Sequence, residues 1–207
     1  MRLIALHGKA GAGKDTFADR LVEAHGFVKR GFADALYEEV ATAFGVGAGW
    51  LRDRDRKEKG QDLLRIARCY DVGFVEWARA AGHNGLDVRS PRWILQQWGT
   101  GYRRSQKDNY WLEKMDGLMA EEVGFHAHPA GLVIPDCRFL NEAWWVRRHI
   151  GTIIKIVRTR APAVHEHVSE TPLPDDVIDR IIFNDGTISR LHAVADFSTR
   201  EYRAARA

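Results

Sequence analysis

One stretch near the start of the chain constrains its fold more than any other: Gly8-Lys9-Ala10-Gly11-Ala12-Gly13-Lys14-Asp15-Thr16, directly behind the apolar run Leu3-Ile4-Ala5-Leu6. The G-x-x-x-x-G-K spacing, entered from a strand and leaving into a helix, is that of a phosphate-binding loop. Glycines let the backbone wrap closely around an anion, so that successive N–H groups point inward. The helix starting near Lys14 adds the positive end of its dipole, and the Lys14 ammonium is placed to bridge terminal phosphates. One position departs from the pattern. Asp15 stands where most such loops carry the Ser or Thr that helps to hold magnesium, and Thr16 follows it. The competing reading is a glycine-rich turn with no ligand.

A chain of 207 residues, 45% hydrophobic and 29% charged, suits one α/β domain with a small insertion. A net charge of +3 is compatible with anionic small molecules and too weak to argue for nucleic acid. Cys69 and Cys137 lie far apart and form no C-x-x-C pair, which predicts a reduced, cytoplasmic protein. No charged leader precedes the first strand and no apolar run reaches membrane-spanning length, so no membrane partner is expected. The sequence leaves open whether the chain pairs with a second copy of itself.

Asp15 to His25 reads as an amphipathic helix with Phe17, Leu21 and Val22 on one face, Gly26 as its C-cap, and Phe27 to Phe32 as a second strand. Ala33 to Phe44 reads as a helix. The mixed-sign run Arg52 to Lys59 reads as a solvated helical face or loop. Helices are predicted around Leu63 to Tyr70, Phe74 to Ala81 and Pro91 to Trp98, the last broken at Gly99-Thr100-Gly101. Alternation then resumes: helix over Leu112–Val123, strand over Gly131–Pro135, helix over Glu142–His149, strand over Thr152–Val157, strand over Arg180–Phe183, then a terminal helix from Ser189. This order predicts a parallel, doubly wound sheet carrying a helical insertion.

In such sheets ligands sit at the carboxyl ends of the strands, and the polar groups of this chain fall there in sequence. The phosphate loop follows the first strand, Asp136 and Arg138 the Gly131–Pro135 strand, Arg158 and Arg160 the next, and Asn184-Asp185-Gly186 the last. Phosphoryl transfer asks for positioning and for cations around the moving group, which Lys14, Arg138, Arg158 and Arg160 would supply. Asp15 and Asp136 are candidates to hold magnesium, directly or through its waters. For Asp136 the alternative is a helix N-cap, and for Arg158 and Arg160 a solvent-facing loop. In the insertion, Arg92, Arg103 and Arg104 suit a monophosphate clamp, and Trp98 or Tyr102 a base stack, whereas Trp93 reads as core. His126-x-His128 and His165-x-His167 lack further ligand partners nearby, which argues against zinc, and Cys137 reads as a packed small side chain.

Five segments in order resemble the bacteriophage-type deoxynucleoside monophosphate kinases, a branch of the P-loop nucleotide kinases. They are Gly8–Thr16 with its G-K-D-T ending, Phe32–Leu36, Leu95–Thr100, Val133–Arg138 with Asn141-Glu142, and His167–Glu170 leading to Asn184–Thr187. Asp15, odd by the general pattern, fits that family's loop. The resemblance implies a three-layer P-loop NTPase fold with its core in 1–49 and 102–207, an acceptor-binding helical insertion over about 50–101 and a lid over about 158–176. It implies ATP with its phosphates on Gly8–Thr16 and its adenine near Asn184–Thr187, together with Mg2+. It implies a deoxynucleoside monophosphate facing Asp34, Arg92, Gln96, Arg103, Arg104, Arg138 and Glu142. Residues 45–89 match nothing in that pattern and leave the choice of base open. Two rival readings stand beside it. One is a different small-molecule kinase of the same fold, such as a dephospho-coenzyme A kinase-like enzyme, whose loop ends G-K-S/T. The other is a nucleotide-binding regulator or nucleic-acid-handling module that transfers no phosphate, kept open by the Arg52–Lys59 run and seven tryptophans.

Overall fold

The computed structural model describes residues 2–125, 129–159 and 172–204. Five strands, all parallel, form one sheet: β1 (Arg2–His7), β2 (Phe27–Lys29), β3 (Gly131–Ile134), β4 (Thr152–Val157) and β5 (Arg180–Phe183). Their order is β2-β3-β1-β4-β5, with helices flanking the sheet, consistent with a P-loop NTPase-like fold. β1 is central because it has no polar face: Leu3, Ile4, Ala5 and Leu6 are all buried. A strand buried on both faces reads as a continuous apolar run. Its register sets Ala5 against Ile134 on one side and His7 against Lys155 on the other.

The chain divides into two compact units, Met1–Phe32 with Leu118–Ala207, and Ala33–Gly117. In the sheet unit, α1 (Lys14–His25) and α8 (Ile188–Ala204) share one core with Ile4 and Leu6 through Phe17, Leu21, Leu191 and Ala195. Val22, expected on the buried face of α1, is exposed, and Ala18 takes that place. Asp196 of α8 accepts two bonds from the Arg20 guanidinium at 2.8 Å and lies 2.8 Å from His25 Nε2, tying the two helices together. On α7 (Leu140–Arg148), Ala143 and Val146 are fully buried.

The other unit is helical: α2 (Asp34–Phe44), α3 (Ala48–Arg52), α4 (Val72–Ala80), α5 (Pro91–Gln96), a π-helix over Gln97–Arg104, and the start of α6 (Tyr110–Phe125). Its core holds Phe44, Leu51, Leu64, Phe74, Ile94 and Trp98. Two expectations change here. Leu63–Tyr70 is not an α-helix but two 3-10 turns, Asp62–Leu64 and Ile66–Arg68. The backbone N–H groups of Gln61 and Ala67 go to the Arg89 and Gly85 carbonyls, so long-range partners replace helical ones. The helix does not break at Gly99-Thr100-Gly101 but continues as the π-helix. Those glycines serve close approach: a Cβ would stand 3.1 Å from Leu36 at Gly99 and 2.7 Å from Trp77 at Gly101. The charge run forms turns that are mostly exposed, in keeping with a solvated loop, with Arg56 paired to Asp53 and Glu58 to Arg92.

Glu39 of α2 is the polar centre of this unit. Its carboxylate accepts bonds from Trp98 Nε1 at 3.0 Å, Arg103 Nε at 2.9 Å and the Tyr110 hydroxyl. Burial, with the Glu39 carboxylate beside it, pushes the Tyr110 hydroxyl up to about 12. Removing the shared acceptor strands three donors, one of them charged. Glu39→Ala is therefore expected to destabilise the helical unit by about 2–4 kcal/mol, read as a shifted urea midpoint of tryptophan fluorescence; an unshifted midpoint contradicts that role.

Candidate functional site

The loop after β1 is shaped by glycines in backbone conformations that other residues rarely adopt. Gly8, Gly11 and Gly13 have φ of 142°, 76° and 102°, a region that side chains disfavour. A Cβ on Gly8 would lie 2.2 Å from the Ile156 carbonyl oxygen, so the loop passes over β4 in backbone contact. A Cβ on Gly13 would meet the Asn184 amide at 2.4 Å. Asn184 Nδ2 donates to the Ala12 carbonyl at 2.8 Å and the Asn184 N–H to the Val157 carbonyl at 2.7 Å. Asn184, expected near a bound adenine, thus holds the loop itself. Lys14 opens α1 and its Nζ donates to the Gly8 and Lys9 carbonyls at 2.6 and 2.9 Å. Asp15 stands exposed on the first turn, 3.4 Å from Lys29 Nζ.

A cavity of about 380 Å³ lies against this loop. Gly8, Lys9 and Ala12 line it from the loop, Lys155, Ile156, Val157, Arg158 and Thr159 from β4 and its extension, Arg138 from the turn after β3, and Pro172 beyond. Four cationic residues, Lys9, Arg138, Lys155 and Arg158, thus line one space beside the glycine loop. That arrangement suits a polyanion. Asp185 Oδ1 accepts from both the N–H and the hydroxyl of Thr159 at 2.8 Å, holding the chain just after Arg158. Two lining residues escaped sequence reasoning. Lys155 is charged inside an otherwise apolar strand, a signal that was available; its Nζ bonds Asp175 at 2.8 Å. His7, the last residue of β1, carries no signal beyond its place. It is buried, with Nδ1 3.0 Å from the Cys137 carbonyl and Nε2 3.2 Å from the Leu173 N–H.

The Asp136–Arg138 turn is held from within. Asp136 is not the N-cap of α7, which is Phe139; its Oδ1 accepts from the Phe32 N–H at 2.9 Å. Gly31 stands close enough that a Cβ would lie 2.8 Å from Asp136 Oδ2. Glu142, expected to face an acceptor, is buried, and its Oε2 accepts from the Arg138 and Phe139 N–H groups at 2.7 and 3.0 Å. Its carboxylate thus caps the start of α7 through the Phe139 N–H and holds the Arg138 backbone as well. Cys137 is a packed thiol whose buried setting pushes its pKa well up.

Several acceptor candidates are turned to internal use in the helical unit. Trp98 is 1% exposed and Tyr102 5%, so neither offers a face to a base. Arg103 pairs with Glu39 and Asp71 and lies over the Tyr102 and Tyr110 rings at 4.6 and 5.2 Å. The Arg104 side chain is 7% exposed and donates to the Asp108 carbonyl. Asp34 pairs with Arg52 at 2.7 Å, and Arg92 with Glu58 at 2.5 Å. Gln96 is half-buried at the end of α5. Arg160, His126, His128, His165, His167, Ser169, Glu170 and most of the expected lid lie outside the described residues. Among the described residues no three His, Cys, Asp or Glu side chains gather as a metal-holding group, and no helix is long and apolar enough to cross a membrane.

Residues 75–194 match the family model described as deoxynucleotide monophosphate kinase. The chain is 29% identical over 205 residues to a putative deoxynucleotide monophosphate kinase of Acanthamoeba polyphaga mimivirus, covering 93% of each protein. It is 25% identical over 234 aligned positions to the deoxynucleotide monophosphate kinase of Enterobacteria phage T4, covering 92% of this chain and 95% of the relative. A third match, the enzyme of that name from Escherichia phage RB69, is 28% identical over 59% of this chain and 50% of the relative.

Two outcomes follow from this geometry. Gly8→Ala drives a Cβ into the Ile156 carbonyl at a left-handed φ, a strain of about 1–3 kcal/mol; a lowered melting temperature with loss of nucleotide binding by calorimetry is expected, and parental values would contradict it. Burial, opposed by its bond to Cys137, holds His7 below its ordinary value of 6.5. The unfolded chain therefore takes up this proton first, and stability falls as pH drops below about 6.5. The melting temperature should decline between about pH 7.5 and 5.5, and less steeply in His7→Asn.

Proposed function

The chain belongs to the deoxynucleotide monophosphate kinase family and is a kinase, and on that premise we propose that it transfers the γ-phosphoryl group of ATP to a deoxynucleoside monophosphate. The observation that carries the reading is the four-cation cavity beside the Gly8–Lys14 loop. The donor's phosphates take the loop N–H groups. Lys14 leaves the Gly8 and Lys9 carbonyls for phosphate oxygens, because an anionic acceptor holds the ammonium more strongly than a neutral carbonyl. Lys9, Arg138, Lys155 and Arg158 face the space where charge builds during transfer. An oxygen of the acceptor's phosphate attacks the γ-phosphorus in line, the bond to the bridging oxygen breaks, and ADP leaves; positioned cations supply most of the stabilisation.

Asp15 fits magnesium: an exposed carboxylate next to Lys14, offering the hard oxygen that this ion takes while keeping its waters. Asp136 would stand behind it as a turn-holding group, since one of its oxygens serves the Phe32 N–H. When bound, magnesium would neutralise phosphate charge. The adenine lies near Asn184–Gly186, with Asp185 fixing the chain after Arg158. Asp34, Arg92 and Gln96 are the acceptor-side candidates, their side chains being partly exposed. Residues 158–176 are proposed as the lid that excludes water, and 50–101 as the acceptor-binding insertion. The cytoplasm is the proposed compartment, and the charge of +3 gives no support to a nucleic-acid partner.

The test is ADP release with ATP and Mg2+ across the deoxynucleoside monophosphates and dephospho-coenzyme A. Stimulation by one or more of the monophosphates is expected; stimulation by dephospho-coenzyme A alone would replace the reading with the rival kinase. Lys14→Ala is expected to cut the rate by at least about 10²–10³-fold while circular dichroism stays parental. A variant at near-parental rate would remove the loop from the mechanism.

A further inference from the structure

His7 closes β1 and is buried at the edge of the cation-lined cavity. Its two ring nitrogens meet two different partners, the Cys137 carbonyl at 3.0 Å and the Leu173 N–H at 3.2 Å. A backbone N–H only donates, so Nε2 is the acceptor and the ring proton sits on Nδ1, donating to Cys137. Each partner adjoins a residue lining the cavity: Arg138 follows Cys137, Pro172 precedes Leu173, and Gly8 follows His7 itself. One neutral imidazole therefore joins three segments, 130 and 166 residues apart from His7 in sequence, around the same space. A core residue needed only for volume would not require both nitrogens.

We propose that His7 is a positioning residue for phosphoryl transfer, whose Nδ1–H tautomer holds the Arg138 turn and the Pro172–Leu173 wall in place against the phosphate loop. This role rests on the donor phosphates binding that cavity. The two links are separable by side-chain length. In His7→Asn the amide sits where Nδ1 was and donates to Cys137. In His7→Gln the side-chain oxygen reaches the place of Nε2 and accepts from Leu173. His7→Leu fills the volume and makes neither bond.

The experiment uses the full chain and three readouts. Nitrogen-15 spectra of the histidine rings should give His7 as the Nδ1-protonated neutral tautomer. Amide exchange at Leu173 should be slow in the parent and His7→Gln and fast in His7→Asn and His7→Leu. In steady-state kinetics with ATP, His7→Leu should lose kcat on the order of 10²-fold, as a displaced catalytic geometry does. His7→Asn should recover most of kcat with a raised KM for ATP, and His7→Gln should keep KM but not kcat. An Nε2-protonated ring overturns the proposal. So does a folded His7→Leu with kcat and KM within about two-fold of the parent, or three variants that lose activity only in proportion to their folded fraction. A parent that transfers no phosphoryl group from ATP overturns the reading of the site and this role with it. An active parent with variants at parental constants overturns the role of His7 alone.

Discussion

Everything in the sheet unit depends on β1 lying between β3 and β4 and releasing its glycine loop directly over the end of β4. The contact at Gly8 leaves no room for a side chain, because the Ile156 carbonyl occupies the place of its Cβ. The loop is consequently held by neighbouring strands as well as by its own turns. Asn184, from the end of β5, bonds both the Ala12 and Val157 carbonyls and so ties β4, β5 and the loop together. The pairing order then decides which side chains can reach the loop. β3 brings the Arg138 turn to one side of β1, and β4 brings Lys155 and Arg158 to the other.

Four cations of the sheet unit, Lys9, Arg138, Lys155 and Arg158, line one cavity, which suits an anion, while Lys155 also bonds Asp175. In the helical unit, Arg52, Arg92 and Arg103 are matched to Asp34, Glu58 and Glu39. Glu39 is shared by an indole, a guanidinium and a phenol, and with Trp98 beside it fixes how α2, the π-helix and the start of α6 meet. A π-helix appears where two glycines let Leu36 and Trp77 approach, a local widening of the kind often retained at working sites.

Much of this was legible in the chain. The apolar run before Gly8, the strand over Thr152–Val157 and the helices over Asp34–Phe44 and Leu140–Arg148 announce themselves by composition and spacing. Residue type alone left placement open. Trp98 and Arg103 have the chemistry of a nucleotide site, and here Trp98 is buried and both bond Glu39. Glu142 has the chemistry of an acceptor contact, and its carboxylate caps a helix. The reverse also holds: Lys155 and His7 line the cavity from strands, and of the two only the charge of Lys155 in an apolar run was a sign of it.

By itself the sequence determined the alternation of elements, the parallel sheet and the loop at the end of its first strand. These follow from hydrophobic period and glycine placement, which act over a few residues. Only the tertiary structure decided which polar side chains face open volume and which are spent on one another. That choice depends on partners such as Trp98 for Glu39 and Leu173 for His7, 59 and 166 residues away. No local period carries that information, because a hydrogen bond across the fold is set by how whole elements meet.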